Sequence, residues 1–376
     1  MLKGIYLTLM IGPAVPVPVP QAVLDALTSI EVTTASGTTQ SGFQLTFTLS
    51  NRSPLHTIFL LSGGSMVPVI RVIIIMTVNS MPQVLMDGVM LHHEVQPGST
   101  TGQSTLIVKG KDLSVLMDYI DFSGVPYPAM PPAARVLIIL AKYAVLGIVP
   151  MVIPSILQDF PLPLERIPIQ QGKDLGYIQQ LAEEVGYVFY IEPGPTPGMS
   201  IAYWGPEIKT GPPQPALNIN MDAHTNVESL SFSFDKEHKE MPVVYIQNQA
   251  TKVPIAIPIP DITPLNPPLG AVPPIPPKIE RLKYTAKLSP LQAVLHGMAY
   301  AAQHANAVSG TGNLDVLRYG RALKARQLVG VRGAGQSFDG LYYVKSVTHN
   351  IKRGEYKQSF TLSRNGLIST LPRVPV

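Results

Sequence analysis

The chain has 376 residues, a formal net charge of +4 and no cysteine, which excludes disulfides, thiolate nucleophiles and cysteine metal sites. Charged residues make up 14% of it, against about 25% in an average soluble domain, so we expect much of its surface to contact protein; a well-packed monomer is the alternative. Lysine and arginine are scattered without a basic run, so the sequence gives no support for nucleic-acid binding.

The first third of the chain predicts antiparallel strands. Apolar and polar residues alternate over 43–49, which is the two-residue period of a half-buried strand. Further strands are predicted at Arg71–Val78, 83–95 and 105–108, and a meander is the simplest arrangement of them. The first dozen residues lack the continuous apolar region of a signal peptide, which predicts a cytosolic product.

Residues 112–204 change to a helical period. Pro131 and Pro132 predict the start of a helix that runs to about Gly147. A second helix places the apolar residues of 175–185 on one face, before Gly186 as a left-handed C-cap. A strand is predicted directly after it, at 187–192. Together these elements predict a small α/β insertion.

The apolar segment 136–157 raises the question of a membrane span. Lys142, Gly147, Pro150 and Pro154 interrupt it, so it falls short of the roughly 20 apolar residues that a spanning helix needs. We therefore predict a buried helix followed by a loop, and no membrane insertion.

Strands are predicted again at 227–234 and 243–248, before a proline-rich segment. Ten prolines lie in 254–277. Each fixes φ and removes a backbone donor, which favours extended polyproline II over helix or sheet. We expect a semi-rigid arm that lies on a neighbouring subunit; a ligand for a proline-reading domain is the alternative.

The clearest helix signal begins at Ser289, which forms a capping box with Gln292 around Pro290 at the first helical position. Glycines 310 and 312 are predicted to end this helix, and a second helix is predicted around 314–327. A hairpin of 341–348 with 356–362 closes the chain. The predicted apolar face of the first helix consists of Leu291, Val294, Leu295, Met298, Ala302 and Ala305.

A strand-turn-strand pattern occurs twice in the chain. In the first copy, which covers 84–95, Asp87 and Gly88 introduce a long strand, and 105–110 follows after a turn. In the second copy, Asp339 and Gly340 introduce a strand that runs to residue 350, and 358–362 follows. Asp-Gly is a common turn dipeptide, so it indicates a repeat only because it recurs in matching surroundings. Two related barrels in one chain would let a trimer present six similar units around an axis.

No residue is predicted to be catalytic, cofactor-binding or metal-binding, and no cofactor is predicted. His92, His93 and Glu94 are consecutive, but neighbouring residues on a strand point to opposite faces, so they do not converge on one ion. His296 and His304 could share a face of the Ser289 helix, and a helix-surface role is predicted for both.

Other chemical signals leave two alternative functions. The glycines at 330, 333 and 335 form a turn that does not spell a dinucleotide or phosphate motif. No GxSxG elbow occurs, although spacing does not exclude a dispersed Ser-His-Asp triad. Trp204 and the tyrosine-rich strands could line a carbohydrate groove. A carbohydrate- or cell-wall-binding tail module is therefore the second hypothesis, and a cell-wall hydrolase is the third.

Two segments carry a family resemblance. The first is 169–191, with a Gln-Gly turn, a helix through Leu181-Ala182-Glu183-Glu184 and then Gly186-Tyr187-Val188-Phe189-Tyr190. The second is the tail 338–349 followed by 359–362. In this order they resemble the insertion domain and the closing hairpin of phage late control protein D and VgrG-like baseplate hubs. The likeness covers about residues 40–366.

The resemblance implies a β-rich α+β fold with two related tube-type antiparallel β-barrels, a small α/β insertion domain and a proline-rich arm. The expected first barrel is 1–110 and the insertion domain is 111–204. Strands that link and complete the barrels are expected at 205–250. The proline-rich arm or loop is expected at 251–280, and a helix plus the second barrel at 281–376.

The resemblance also implies a structural, non-enzymatic subunit of a contractile tail or injection system. Three copies would form a pseudo-sixfold homotrimeric ring between the hexameric inner tube protein and a trimeric spike protein. Other baseplate proteins and a tape measure or cargo are further partners that it implies. The chain ends at Val376, soon after the second hairpin, so the resemblance implies a separate spike. The expected location is the bacterial cytoplasm during assembly and then the baseplate of the particle.

Overall fold

The computed structural model describes residues 5–13, 15–37, 40–49, 55, 69–98, 104–155, 161, 167–247, 253–260, 267–283 and 288–371. The first part of the chain is mostly strand, as the alternation at 43–49 predicts. Its elements are β1 (Ile5–Gly12), β2 (Val17–Pro18), α1 (Gln21–Ala26), β3 (Leu27–Ala35), β4 (Gly42–Leu49), β5 (Arg71–Val78), β6 (Met81–Pro97) and β7 (Ser104–Asp112).

The rest of the chain adds an α/β stretch and then a second set of strands. The α/β stretch contains α2 (Pro132–Ala141), β8 (Ile148–Val152), α3 (Asp174–Glu184), β9 (Val188–Pro193) and β10 (Ser200–Gly205). It is followed by β11 (Gln214–Asn218), β12 (Ser229–Phe234), β13 (Glu240–Gln247), β14 (Pro254–Pro258), β15 (Gly270–Val272), β16 (Lys278–Arg281), α4 (Pro290–Gln303), β17 (Val308–Asp315), α5 (Val316–Tyr319), β18 (Leu328–Arg332), β19 (Gly340–Lys352), β20 (Glu355–Arg364) and β21 (Leu367–Ser369). Short 3-10 turns lie at Leu113–Asp118, Ala144–Leu146 and Asp222–His224.

One large, mainly antiparallel sheet dominates the described structure, which confirms the β-rich prediction. Its main path runs β12-β17-β20-β19-β3-β4-β7-β6-β5-β1-β2, and β11 and β18 extend it beside β19. The predicted meander is correct for β5, β6 and β7 but wrong for β4, which pairs with β7 instead of β5. This pairing sets Leu45 opposite Val108 and Phe47 opposite Leu106, so the apolar sides of both strands face the same core.

The strand order repeats within this sheet. In the first half of the chain the order is β5-β6-β7-β4-β3, and in the second half it is β18-β19-β20-β17-β12. The long strands β6 and β19, which contain the sequence repeat, each carry a bulge where they pair with the following strand. The two halves are joined by antiparallel pairing of β19 with β3.

The α/β stretch has a hydrophobic core of its own around Trp204, Ile178 and Ile139. The predicted apolar face of α3 is buried, and Gly186 follows the helix in the left-handed conformation (φ 72°). The predicted first helix ends earlier than expected, at Ala141. The loop predicted after it is instead the strand β8, because Ile148–Val152 pairs in parallel with β10.

Helix α4 begins with the predicted capping box, in which the Ser289 hydroxyl accepts from the Gln292 backbone and the Gln292 side chain accepts from the Ser289 backbone. Its most buried face differs from the prediction. Ala293, Gly297 and Ala301 are buried, whereas four of the six predicted residues are only half-buried. The small residues let the helix approach β13 and its neighbours closely, since a Cβ at position 297 would lie 2.8 Å from Val244. Met298 and Ala302 pack instead against the core of the α/β stretch.

The region after α4 corrects two predictions. Residues 308–315 form the strand β17 and not a helix end, and the helix predicted around 314–327 is reduced to the four residues of α5. Gly310 and Gly312 are strand residues on the core side, where Phe232 and Phe360 lie over them. Glycine here provides room for aromatic rings, which the sequence alone does not distinguish from a helix stop.

The proline-rich segment also forms more sheet than predicted. β14 and β16 flank β13 in a three-stranded sheet, and β15 pairs with β21. Proline is compatible with these positions because Pro254 and Pro258 terminate an edge strand. The backbone amides of Leu269 and Gly270 both donate to the Asn365 side chain, so this part of the segment is held by its own chain.

Gly312→Ala tests the strand assignment of 308–315. The new Cβ would lie 2.5 Å from the Ser229 carbonyl oxygen and 2.7 Å from the Phe360 ring, so we expect a loss of about 1–3 kcal/mol in the free energy of unfolding by overpacking. Urea denaturation measures it. Ser359→Ala, on the polar side of the neighbouring strand β20, is the control and should change stability by less than about 0.5 kcal/mol. A neutral Gly312→Ala would contradict the close packing of β12 on β17.

His349 predicts a pH dependence of stability. The ring is buried, with Nδ1 2.7 Å from the Tyr356 hydroxyl, and burial lowers the pKa of His349 to about 4. In the unfolded chain the His349 ring takes up a proton below about pH 6.5. Its contribution to the free energy of unfolding is therefore fully present above that pH. It is lost as pH falls towards 4, by at most about 1.4 kcal/mol per pH unit. Urea midpoints between pH 7 and 4 should fall less steeply for His349→Gln than for the natural chain; equal slopes would contradict the assignment.

Candidate functional site

The large sheet has one apolar face and one polar face. Along β17 the buried residues are 308, 310, 312 and 314, and the residues between them are exposed. β12 and β20 alternate in the same sense, so their hydroxyl side chains lie on one side of the sheet. We call this surface the hydroxyl face; it consists of Thr33, Ser229, Ser231, Ser233, Ser309, Thr311, Asn313, Ser346, Thr348, Ser359 and Thr361.

Hydrogen bonds connect the hydroxyl face from strand to strand. The Oγ of Ser231 lies 3.0 Å from Oγ1 of Thr311, and the Oγ of Ser346 lies 2.7 Å from Oγ1 of Thr361. Oγ1 of Thr348 lies 3.0 Å from Oγ1 of Thr33, which carries the pattern across the joint between the two halves. Such cross-strand pairs stabilise a sheet by about 0.2–1 kcal/mol each. They also fix where each hydroxyl points.

The polar face continues into the first half but becomes charged there. The register places Glu31 opposite Gln44, Gln44 opposite Lys109 and Lys109 opposite His92. Glu31, Lys109, Lys111 and His92 are exposed. At these positions the first half therefore carries charged or ring groups where the corresponding positions of the second half, Ser231, Thr361 and Ser346, carry hydroxyl groups.

Two buried arginines hold the α/β stretch against the sheet. Arg71 forms an ion pair of 2.7 Å with Asp87 and donates to the Gly198 carbonyl in the β9–β10 turn. Arg326 donates to the Ala35 carbonyl, and its guanidinium lies 3.8 Å from the centre of the Tyr190 ring in β9. A buried charge that loses its partners is costly. These contacts therefore restrict how the sheet and the α/β stretch can move relative to each other.

The histidines that the sequence singled out are not brought together. His92 pairs with exposed Lys109 and His93 with buried Val108, so the two rings lie on opposite faces as predicted. His304 stacks on Tyr300 with 4.1 Å between ring centres, and His296 is half-buried in the cleft between α3 and α4. No group of three or more His, Asp or Glu side chains in the described ranges is arranged to hold a metal ion.

Trp204 does not line a groove. It is fully buried, and its ring contacts Tyr187 edge to face at 4.9 Å in the core of the α/β stretch. The glycine-rich turn is also smaller than predicted, because Gly330 lies within β18 while Gly333 and Gly335 form the turn. Within the part of the chain that the structure describes, no helix is long and apolar enough to cross a membrane.

The hydroxyl face is not among the sequence-based predictions, although the sequence contains a signal for it. Serine occupies every second residue of β12, and serine or threonine recurs at the same period in β17 and β20. This is the alternation of a strand with one buried side, with hydroxyl groups in place of charges on the other side. The signal becomes legible only when strand pairing aligns the segments, which are up to 130 residues apart.

The chain matches no protein-family model and no curated protein. Its structure is similar to the tail protein from Neisseria meningitidis MC58, with a TM-score of 0.64 and 15% identity over 97% of this chain and 98% of that chain. It is also similar to the E. coli c3393 protein, a type VI secretion system component with structural similarity to T4 tail proteins gp27 and gp5 (TM-score 0.52, 12% identity, 93% and 77% covered).

A third similar structure is a chain of the half-lidded Francisella PdpA–VgrG complex, with a TM-score of 0.60 and 11% identity. All of this chain is covered there, but only 60% of the Francisella chain. Identities this low establish the fold alone. The resemblance seen in the sequence is confirmed at that level: the chain has the fold of tail proteins and of VgrG-like proteins.

Proposed function

We propose that this protein is a structural baseplate hub subunit of a contractile, phage-tail-like injection system. Three copies close into a pseudo-sixfold ring that joins a hexameric inner tube to a trimeric spike. The observation that carries the proposal is the repeated strand order, which gives each chain two similar halves with one continuous polar face. The fold shared with tail proteins supports it.

The proposed symmetry follows from the geometry of the chain. Two similar halves in each of three chains give six similar units around one axis, so a threefold particle can present a nearly sixfold surface. In this ring the polar face lines the lumen and the apolar face packs outward into the subunit. Where the hydroxyl face lines the lumen, its neutral groups offer little charge or apolar surface to hold a passing chain, which suits a tape measure or cargo in transit.

The α/β stretch provides a surface for other baseplate proteins. Leu137, Ile138, Val145, Val149 and Met151 are all at least 45% exposed, and exposed apolar groups in such number mark interaction sites. We propose the divisions 1–110, 111–204, 205–250, 251–280 and 281–376 as the working domains of this subunit. Its role is mechanical and not enzymatic, because tight apolar contacts, and not a reactive centre, are what a ring under sheath contraction needs.

Electron microscopy of the purified full-length protein tests the ring. We expect hollow particles with three chains each, and light scattering should count three copies. Because the subunits could need the spike to associate, a parallel preparation co-expresses the chain with a candidate spike from the same particle. Monomers in both preparations at micromolar concentration would contradict the proposal.

The position of the polar face is tested by labelling, which the absence of native cysteine makes simple. Thr311→Cys places a thiol on the hydroxyl face, and Val145→Cys places one on the α/β surface, where the native side chain is 87% exposed. A small maleimide should modify both in the assembled particle. A maleimide on a long polymer should modify position 311 at least about tenfold more slowly than 145, because it must enter the lumen. Equal rates would place the hydroxyl face outside.

A further inference from the structure

Among the strand edges without a described partner, two belong to corresponding ends of the repeated strand order. The last residues of β6, 91–97, pair with β7 on one side, and no described strand lies on the other. Of the strands that the structure describes, β17 is the one that pairs with β12. Both edges also carry exposed apolar side chains, with Val95 41% and Phe234 39% exposed. Unpaired strand edges are sites where another chain can add to a sheet.

The chain itself shows what covers the equivalent edge. β19 is the counterpart of β6 in the repeated strand order, and its residues beyond the bulge are paired on both sides, with β20 and with β3. β3 belongs to the other half, where its counterpart is β12. In the joint between the two halves, the counterpart of β6, which is β19, therefore pairs with the counterpart of β12, which is β3.

We propose that β6 of one copy pairs with β12 of the next copy, in the antiparallel register that β19 and β3 use within the chain. This inference rests on the proposed ring and specifies its joint. Three joints within chains and three between chains would then alternate around the ring. Within one chain β6 and β12 are seven strand spacings apart, about 33 Å along the sheet, so the pairing must be between copies.

The repeat fixes the register. The bulge before His92 corresponds to the bulge before Ser346, and their partners Lys109 and Thr361 correspond in turn. The strand pairs lead from Lys109 across β4 to Glu31, and from Thr361 across β17 to Ser231. Glu31 is therefore the counterpart of Ser231. The pairs Thr348–Thr33 and Asn350–Glu31 therefore predict the pairs Glu94–Ser233 and Gln96–Ser231 between copies, and His349–Val32 predicts Val95–Phe232.

The side chains suit this register. On the apolar side, Val95 meets the half-buried Phe232 and His93 meets Phe234, so apolar groups that are exposed in one chain become covered. On the polar side, the Glu94 carboxylate can accept from the Ser233 hydroxyl, in the place where Thr348 and Thr33 share a hydrogen bond of 3.0 Å. The joint thus extends both faces of the sheet without burying an unpaired charge.

Disulfide trapping in the full-length, cysteine-free chain tests the pairing. Within the chain, the Ser36 amide donates to the Lys345 carbonyl, which shows which pairs of β19 and β3 are hydrogen-bonded and which are not. In the same alternation Glu94–Ser233 is a non-hydrogen-bonded pair, whose Cα atoms are closely spaced. Glu94→Cys/Ser233→Cys, purified with its tube and spike partners and mildly oxidised, should give covalent dimers and trimers and nothing larger. A mixture of the two single variants should give dimers only.

His92→Cys/Ser231→Cys is the matched control, because both positions lie on the polar face but about 13 Å out of register. We expect at least about tenfold less trapping in it. Rings in which the 94–233 pair stays reduced, or in which the control pair traps equally well, overturn this inference while the proposed function stands. Absence of rings in every preparation overturns both. Trapping by either single variant alone also overturns it, since it would mean a joint between like surfaces instead of unlike ones.

Discussion

The constraint on which this structure depends is the two-residue period of a strand. Each strand of the large sheet must place its apolar set on the same side, since a slip of one residue would expose that set. The pairings of β4 with β7 and of β19 with β3 both satisfy this condition. A single apolar core therefore runs under both halves, and a single polar face runs above them. Packing explains the single apolar core. The single polar face follows from it, because the residues between the buried ones all point to the other side of the sheet.

Rigidity between the sheet and the α/β stretch has a different source. The two have largely separate cores, and Val89 of β6 is the sheet residue in the core of the α/β stretch, so apolar burial is a small part of what fixes their relative position. Arg326 reaches from the second half to a carbonyl of the first half and to a ring of the α/β stretch, and Glu192 lies 3.6 Å from it. One buried guanidinium thus contacts three parts of the chain. Such a group holds an arrangement in place because its displacement would leave a charge buried without partners.

Local patterns predicted local structure well, and long-range pairing decided the rest. The alternation at 43–49, the capping box at Ser289 and the Gly186 cap are set by neighbours in sequence, and the structure has all three. The prediction that Gly310 and Gly312 end a helix is wrong. In a sequence, a glycine that makes room for a distant aromatic ring cannot be distinguished from a glycine that ends a helix. The hydroxyl face and Arg326 depend on contacts between segments far apart in sequence, which no local window contains.

The difference between the two halves gives the proposed ring a second property. Strand order repeats, so the backbone surface is nearly sixfold, but the side chains do not repeat. Exposed Lys109 and Lys111 in the first half correspond to Thr361 and Ser363 in the second. A ring of three copies would then be sixfold in shape and threefold in charge. A hexameric neighbour that packs on backbone shape would meet six similar sites, whereas a chain inside the lumen would meet the charged groups three times around the axis. One duplicated sheet can in this way present sixfold shape to a neighbour and threefold charge to the lumen, because shape and charge are carried by different atoms of the same strands.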